Sequence, residues 1–304
     1  MSAHQNNHYV PASYFRPWCG DDKKLTYFHW VEQRFLIDRA SPRAIASERN
    51  LYTLHGAPDD QAAVVETDFF ARLIDQPGAT IQQKILSGIA SFSLEERHKW
   101  ARYLMALRAR TPEMIATAQK LGREGVRAIL RDSQNEYEAI KPLGGPATFE
   151  ECVAPWFLEN FGTARVIPAL IDKEETRSKI VAMDWWCQDF SGCGRELLTC
   201  DRPLVWQGGV DDKNFLLALP ISPKLVFFIV NDPNLWANLA RCPLRELAKQ
   251  VNVSIISNAV EYVYAAGAGP ANFIRSRLRR SETSVAIPDS LVNAAISPSP
   301  SVTP

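Results

Sequence analysis

Hydrophobic and polar positions change period along this chain, and each change marks an element. Residues 25–31 alternate and are rich in aromatic side chains, Glu32, Gln33 and Arg34 interrupt them, and residues 35–39 resume the run. That pattern predicts a β-hairpin, ended by Pro42. Residues 1–7 are polar and read as loose, and residues 44–54 hold at most a short strand. A helical block follows, with apolar residues at spacings of three and four. Asp59 or Asp60 caps a helix to about residue 75 that carries Val64, Val65, Phe69, Leu73 and Ile74 on one face. Pro77 and Gly78 read as its break, before a second helix over 80–91. Ser93 and Glu96 make a capping box for a helix to about residue 110, with Trp100, Tyr103, Leu104 and Leu107 as its buried stripe. Thr111-Pro112 opens a helix to about 137, and another covers about 148–161.

Beyond residue 178 the runs become short and are cut by Gly, Pro, Asn and Asp. Residues 179–188, 195–200, 204–207, 215–219 and 225–231 read as an antiparallel sheet, and two helices follow over 233–248 and 251–266. Residues 272–280 form a short basic helix, and 281–304, rich in Ser and Pro, read as a disordered tail. Strands, helices, strands and helices in that order predict an α+β fold. An isolated hairpin is marginal, so the first hairpin needs a partner, and the later sheet supplies it. The expected architecture is one α+β domain over 1–280, with an antiparallel sheet closed by the N- and C-terminal segments around a central helical block.

Composition narrows the function classes. The 304 residues carry 34 basic and 34 acidic side chains, so the formal net charge is zero and there is no strong nucleic-acid footprint. Apolar runs such as 225–230 are far shorter than the ~20 residues of a membrane span. The N-terminus lacks the pattern of a secretory signal, and six cysteines without one predict reduced thiols and a cytoplasmic protein.

The densest stretch of functional side chains is His8-Tyr9-Val10-Pro11 with Tyr14, Phe15, Arg16, Pro17 and Trp18. Further on stand Asn50-Leu51-Tyr52, Arg110-Thr111-Pro112, Leu198-Thr199-Cys200-Asp201-Arg202-Pro203, Leu219-Pro220-Ile221-Ser222-Pro223, and Asn258-Ala259 with Tyr262-Val263-Tyr264. Together these resemble a bacterial family, domain-of-unknown-function family 4238, over about residues 8–266. The resemblance implies a fold and no chemistry. Cys200 stands where the family usually has Ser, so no hydroxyl nucleophile at 200 is required. Ile221 also separates Pro220 from Ser222, where the family has Leu.

The candidate cluster is His8, Arg16, Arg110 and Asp201: a histidine for acid–base work or ligation, two guanidinium groups for an anion, and a carboxylate where a strand ends. Secondary candidates are Tyr9, Tyr14, Glu66, Arg108 and Asn258. Each has a structural reading of equal or greater weight. Asp201 serves equally as a turn residue bonding its own backbone, Arg108 and Arg110 complement a helix C-terminus, and Glu66 is a solvated helix residue. His8 with two carboxylates could hold a divalent metal or run hydrolysis. Zinc through Cys187, Cys193 and Cys200 is disfavoured by spacings of six and seven. Trp185, Trp186 and Trp206 are core residues of a sheet or platforms for a base or sugar. The leading expectation is a non-catalytic binding or sensing module with a buried polar network, for a small-molecule or macromolecular ligand. The alternative is a hydrolase or nuclease-like enzyme acting on a phosphate-bearing substrate.

Overall fold

In the computed structural model, which describes residues 6–89 and 91–279, β1 (Asn6–His8) pairs antiparallel with β4 (Ser47–Arg49), so Asn6 and Asn7 are built into the fold rather than loose. The hairpin is present as β2 (Leu25–Val31) and β3 (Arg34–Ala40), in register from Leu25 opposite Ala40 to Val31 opposite Arg34. The other edge of β2 takes β10 (Val263–Ala265), which pairs in turn with β6 (Thr199–Cys200). A second antiparallel sheet has the order β5 (Asp184–Asp189), β9 (Leu225–Val230), β8 (Leu216–Ser222), β7 (Val205–Gln207). Both central strands are buried along most of their length, which is why they read as apolar runs without alternation. Pro220 has no N–H for the ladder, and the register shifts between Pro220 and Ser222.

The helices are α1 (Ala12–Phe15), α2 (Gln76–Leu86), α3 (Leu94–Ala109), α4 (Pro112–Asp132), α5 (Gln134–Ile140) and α6 (Pro155–Phe161). They continue with α7 (Ile167–Ile171), α8 (Glu174–Ala182), α9 (Pro233–Arg241), α10 (Leu244–Asn258) and α11 (Ala271–Arg275). The capping box forms: Ser93 Oγ accepts the Glu96 N–H at 3.2 Å, and Glu96 Oε2 accepts the Ser93 N–H at 2.8 Å. Among the described residues, no helix is long and apolar enough to cross a membrane.

Four further expectations are corrected. Pro77 and Gly78 do not break the chain: wide π-type turns over Val65–Asp75 run directly into α2, and Pro77 lies in its first turn, where a missing N–H costs least. Gly78 is present because the Tyr103 ring lies against it. Residues 179–182 belong to α8, and the strand begins only at Asp184. The later runs do not make one sheet, since β6 leaves its neighbours to join the hairpin. The helix expected over 251–266 stops as α10 at Asn258, and Val263 to Ala265 become the strand that links hairpin to β6, where Val263 and Tyr264 are fully buried. The tail over 281–304 lies outside the described residues.

The opening segment joins the two four-stranded sheets. The Tyr14 hydroxyl donates to the Pro220 carbonyl at 2.6 Å, in β8, and shares a hydrogen bond of 2.9 Å with Thr199 Oγ1, in β6. Trp18 Nε1 donates to the Leu197 carbonyl at 3.2 Å. Tyr14, Phe15 and Trp18 are wholly buried, so the aromatic density of this stretch is core packing.

Candidate functional site

The corner between α3 and α4 directs three neighbouring side chains into three surroundings. Two residues on a helix point to different faces, so Arg108 and Arg110 diverge: Arg108 is exposed and Arg110 is wholly buried. Thr111 then caps α4, its Oγ1 accepting the Met114 N–H at 3.4 Å.

Arg110 organises a buried polar cluster. Its Nη1 meets Asp75 Oδ1 at 2.8 Å and its Nε donates to the Tyr9 carbonyl at 3.0 Å. Its guanidinium lies 5.4 Å above the Phe70 ring. The Tyr52 hydroxyl donates to the Arg110 carbonyl at 2.8 Å, and the Tyr52 N–H donates to Asn7 Oδ1 at 3.4 Å. Glu66 and His8 sit in the field of Arg110 and Asp75. Burial, and then the Asp75 charge, push the Glu66 carboxyl up to about 7 against the pull of Arg110 and Asn7. Burial lowers the His8 pKa, and it raises that of Asp75 against the attraction of Arg110. Among the described residues, His8 Nε2, Glu66 Oε2, Arg110 Nη2 and the Tyr103 hydroxyl of this group have neither a hydrogen-bond partner nor solvent exposure.

On the far side of Tyr9 lies a cleft of about 320 Å³, lined by Tyr9, Thr111, Pro112, Glu113, Asp201, Arg202 and Tyr262 among others. Asp201 is 3% exposed and accepts three backbone N–H groups: Val260 on Oδ1 at 2.9 Å, and Glu261 and Tyr262 on Oδ2 at 2.7 and 2.9 Å. Burial pushes its carboxyl up to about 6 against those amides and Arg202. Arg202 Nη2 pairs with Glu113 Oε2 at 2.7 Å. Burial alone would raise Glu113, but Arg202, its own backbone amide and Thr111 together outweigh it and hold the carboxyl below its usual range. The Tyr9 phenol is raised far above its ordinary value by burial and then by Asp201. Asn258 Nδ2 donates to the Arg202 and Leu204 carbonyls at 3.1 and 2.7 Å, fixing the strand end that carries Asp201.

The four primary candidates therefore separate. His8 and Arg110 belong to the buried cluster, Asp201 to the cleft, and Arg16 is exposed on the surface while its neighbours fill the core. Glu66 is not a solvated helix residue but half-buried, with one oxygen sealed from solvent. Tyr14 and Asn258 hold backbone, and Arg108 lies 4.2 Å above the Trp206 ring. Among the described residues, no group of three or more His, Cys, Asp or Glu side chains is placed to hold a metal ion. Sequence reasoning missed Asp75, Tyr103, Glu113, Arg202 and Glu261. For Glu113 and Arg202 the signal was present, since Glu113 adjoins the motif residue Pro112 and Arg202 stands inside the motif that carries Asp201. Asp75 and Tyr103 carried no signal beyond helical spacing. A larger cavity, about 810 Å³, is lined by Arg127, Glu150 and Glu159 among others, contains none of the candidates, and has its Arg127 paired with Glu150 and Glu159.

The fold and cleft define an α+β protein in which four of the six motif segments, those holding Tyr9, Thr111-Pro112, Asp201-Arg202 and Tyr262, line one cleft. The chain belongs to the family described as Protein of unknown function (DUF4238), whose model matches residues 6–268. The comparison with curated proteins found no match, and neither did the comparison with solved structures.

Proposed function

We propose that the protein is a non-catalytic binding module, and that its ligand is a small organic cation held in the cleft beside Tyr9. The observation that carries this reading is the convergence of motif segments around Tyr9, Thr111-Pro112, Asp201-Arg202 and Tyr262 on one cleft. Their inner charged groups are already committed to holding it together. Asp201 faces three amides, Arg202 faces Glu113, and Arg110 faces Asp75. A general acid or base must reach a substrate proton, and both Asp201 oxygens are already taken by backbone amides. What remains for a ligand is an acidic rim, Glu48 and Glu261, both exposed, beside the rings of Tyr9 and Tyr262. Carboxylates and ring faces together suit an ammonium or guanidinium group. A phosphate-bearing substrate is disfavoured, because Glu48, Glu113, Asp201 and Glu261 face one guanidinium that is itself paired.

The test is a calorimetric titration with agmatine, alongside an assay with bis(4-nitrophenyl) phosphate. Agmatine is expected to bind, more weakly in high salt, and about tenfold more weakly to Glu261→Gln. Agmatine failing to bind, or binding both Glu261→Gln and Glu48→Gln unchanged, refutes the reading. Phosphodiester turnover that disappears in Asp201→Asn would replace it with the hydrolase.

A further inference from the structure

Another cavity, of about 280 Å³, opens on the other face of the α3–α4 corner and shares no lining residue with the cleft. Its walls are Met105, Met114 and Leu170, with Trp206 at one side. Two cations line it, Arg108 and Lys173, and none of the described lining residues is acidic.

The state of Arg108 is the telling feature. Its guanidinium stacks 4.2 Å above the Trp206 ring. Trp206 is fixed in turn: its ring packs edge-on to the buried Phe215 at 5.1 Å, and its Nε1 donates to the Gly208 carbonyl at 3.1 Å. Stacking shields one face of the guanidinium and leaves its N–H fork free at the edge. Among the described residues, Arg108 makes no hydrogen bond or ion pair, whereas its neighbours Arg102 and Arg110 on the same helix stretch each hold a carboxylate. Among the described residues Lys173 reaches only Glu175, at 3.8 Å, so its ammonium is also weakly committed.

We propose that this cavity binds a small organic anion with an aromatic or apolar body. The body lies against Met105, Met114 and Leu170, and the anionic head takes the Arg108 fork and the Lys173 ammonium. Bidentate pairing with a planar guanidinium suits a carboxylate or a phosphate. The size is near the lower end of small-molecule sites, which fits one ring and a short acid arm. The site does not depend on the cleft or on its reading.

The experiment uses the full chain and isothermal titration with four probes of one shape: 3-phenylpropionate, phenyl phosphate, 3-phenylpropan-1-ol and phenethylamine. One or both anions are expected to bind with Kd of about 1 mM or tighter, and which of them binds better identifies the head group. Arg108→Gln is expected to weaken that binding about tenfold, and Lys173→Gln several-fold. Neither variant removes a packed core atom, so both should keep the wild-type thermal midpoint, which verifies that they fold. Binding of the alcohol or amine as tightly as the anions overturns the proposal. So does anion binding that survives Arg108→Gln, or no binding of either anion to the folded wild type.

Discussion

Asp201→Ala separates a structural carboxylate from a reacting one. In the native fold Asp201 accepts the N–H groups of Val260, Glu261 and Tyr262 at 2.9, 2.7 and 2.9 Å. These amides lie between the end of α10 and the start of β10, so their geometry sets where β10 enters the sheet. Alanine leaves all three donors without their acceptor. An orphaned buried amide costs about 1–3 kcal/mol. The adjoining cleft admits water to some of them, so the low end applies, and the sum is about 3 kcal/mol. For a chain of this length each kcal/mol moves Tm by about 2–4 °C, provided unfolding is close to two-state. Scanning calorimetry is therefore expected to show a fall of about 6–12 °C. Asp201→Asn keeps an accepting oxygen but turns an NH2 toward a backbone donor, so its Tm should fall between alanine and wild type. A fall of under about 2 °C for Asp201→Ala refutes the clamp. A rise would identify a carboxylate retained for function at the expense of stability.

Two further outcomes follow from the same packing. Glu66 titrates at about 7 in the fold against 4.5 for an ordinary glutamate. Between those values the native state keeps a proton that the unfolded chain has released, so stability falls as pH rises through the window, by at most about 3 kcal/mol. Glu66→Gln should remove that fall and be more stable than wild type above about pH 7. Denaturant titrations across the range check it, and a wild-type–variant difference independent of pH contradicts it. Gly78→Ala should destabilise, although alanine in a helix is normally worth about 1 kcal/mol over glycine. The added Cβ would lie 2.2 Å from a Tyr103 ring carbon, and that ring is stacked at 5.0 Å on the buried Trp100 and cannot retreat. Overpacking of this kind costs about 1–3 kcal/mol, so a raised Tm would show that the ring has room to move.

Local rules made much of the fold legible. The hairpin of residues 25–40, the Ser93–Glu96 box, the start of α4 at Pro112 and the central strands β8 and β9 all follow from alternation, capping or a missing N–H. Those signals act between residues a few positions apart. The π-type turns ahead of Gln76 were not legible, because Pro77 and Gly78 carry the same local signal in a loop as in a first helical turn.

The candidate site divides the same way. Residue type alone drew attention to His8, Glu66, Arg110 and Asp201, since buried charge is costly and unusual residues concentrate where it is managed. Their roles were decided at long range. Arg110 found Asp75 across 35 positions, Asp201 found Glu261 across 60, and Tyr14 found Thr199 across 185. Arg16 and Arg108 look alike in sequence beside Arg110, yet only Arg110 is buried. What the sequence by itself determined was the elements and the list of side chains that needed partners. Only the tertiary structure decided which partner each received, because burial and charge pairing depend on segments distant in the chain that meet only when it folds.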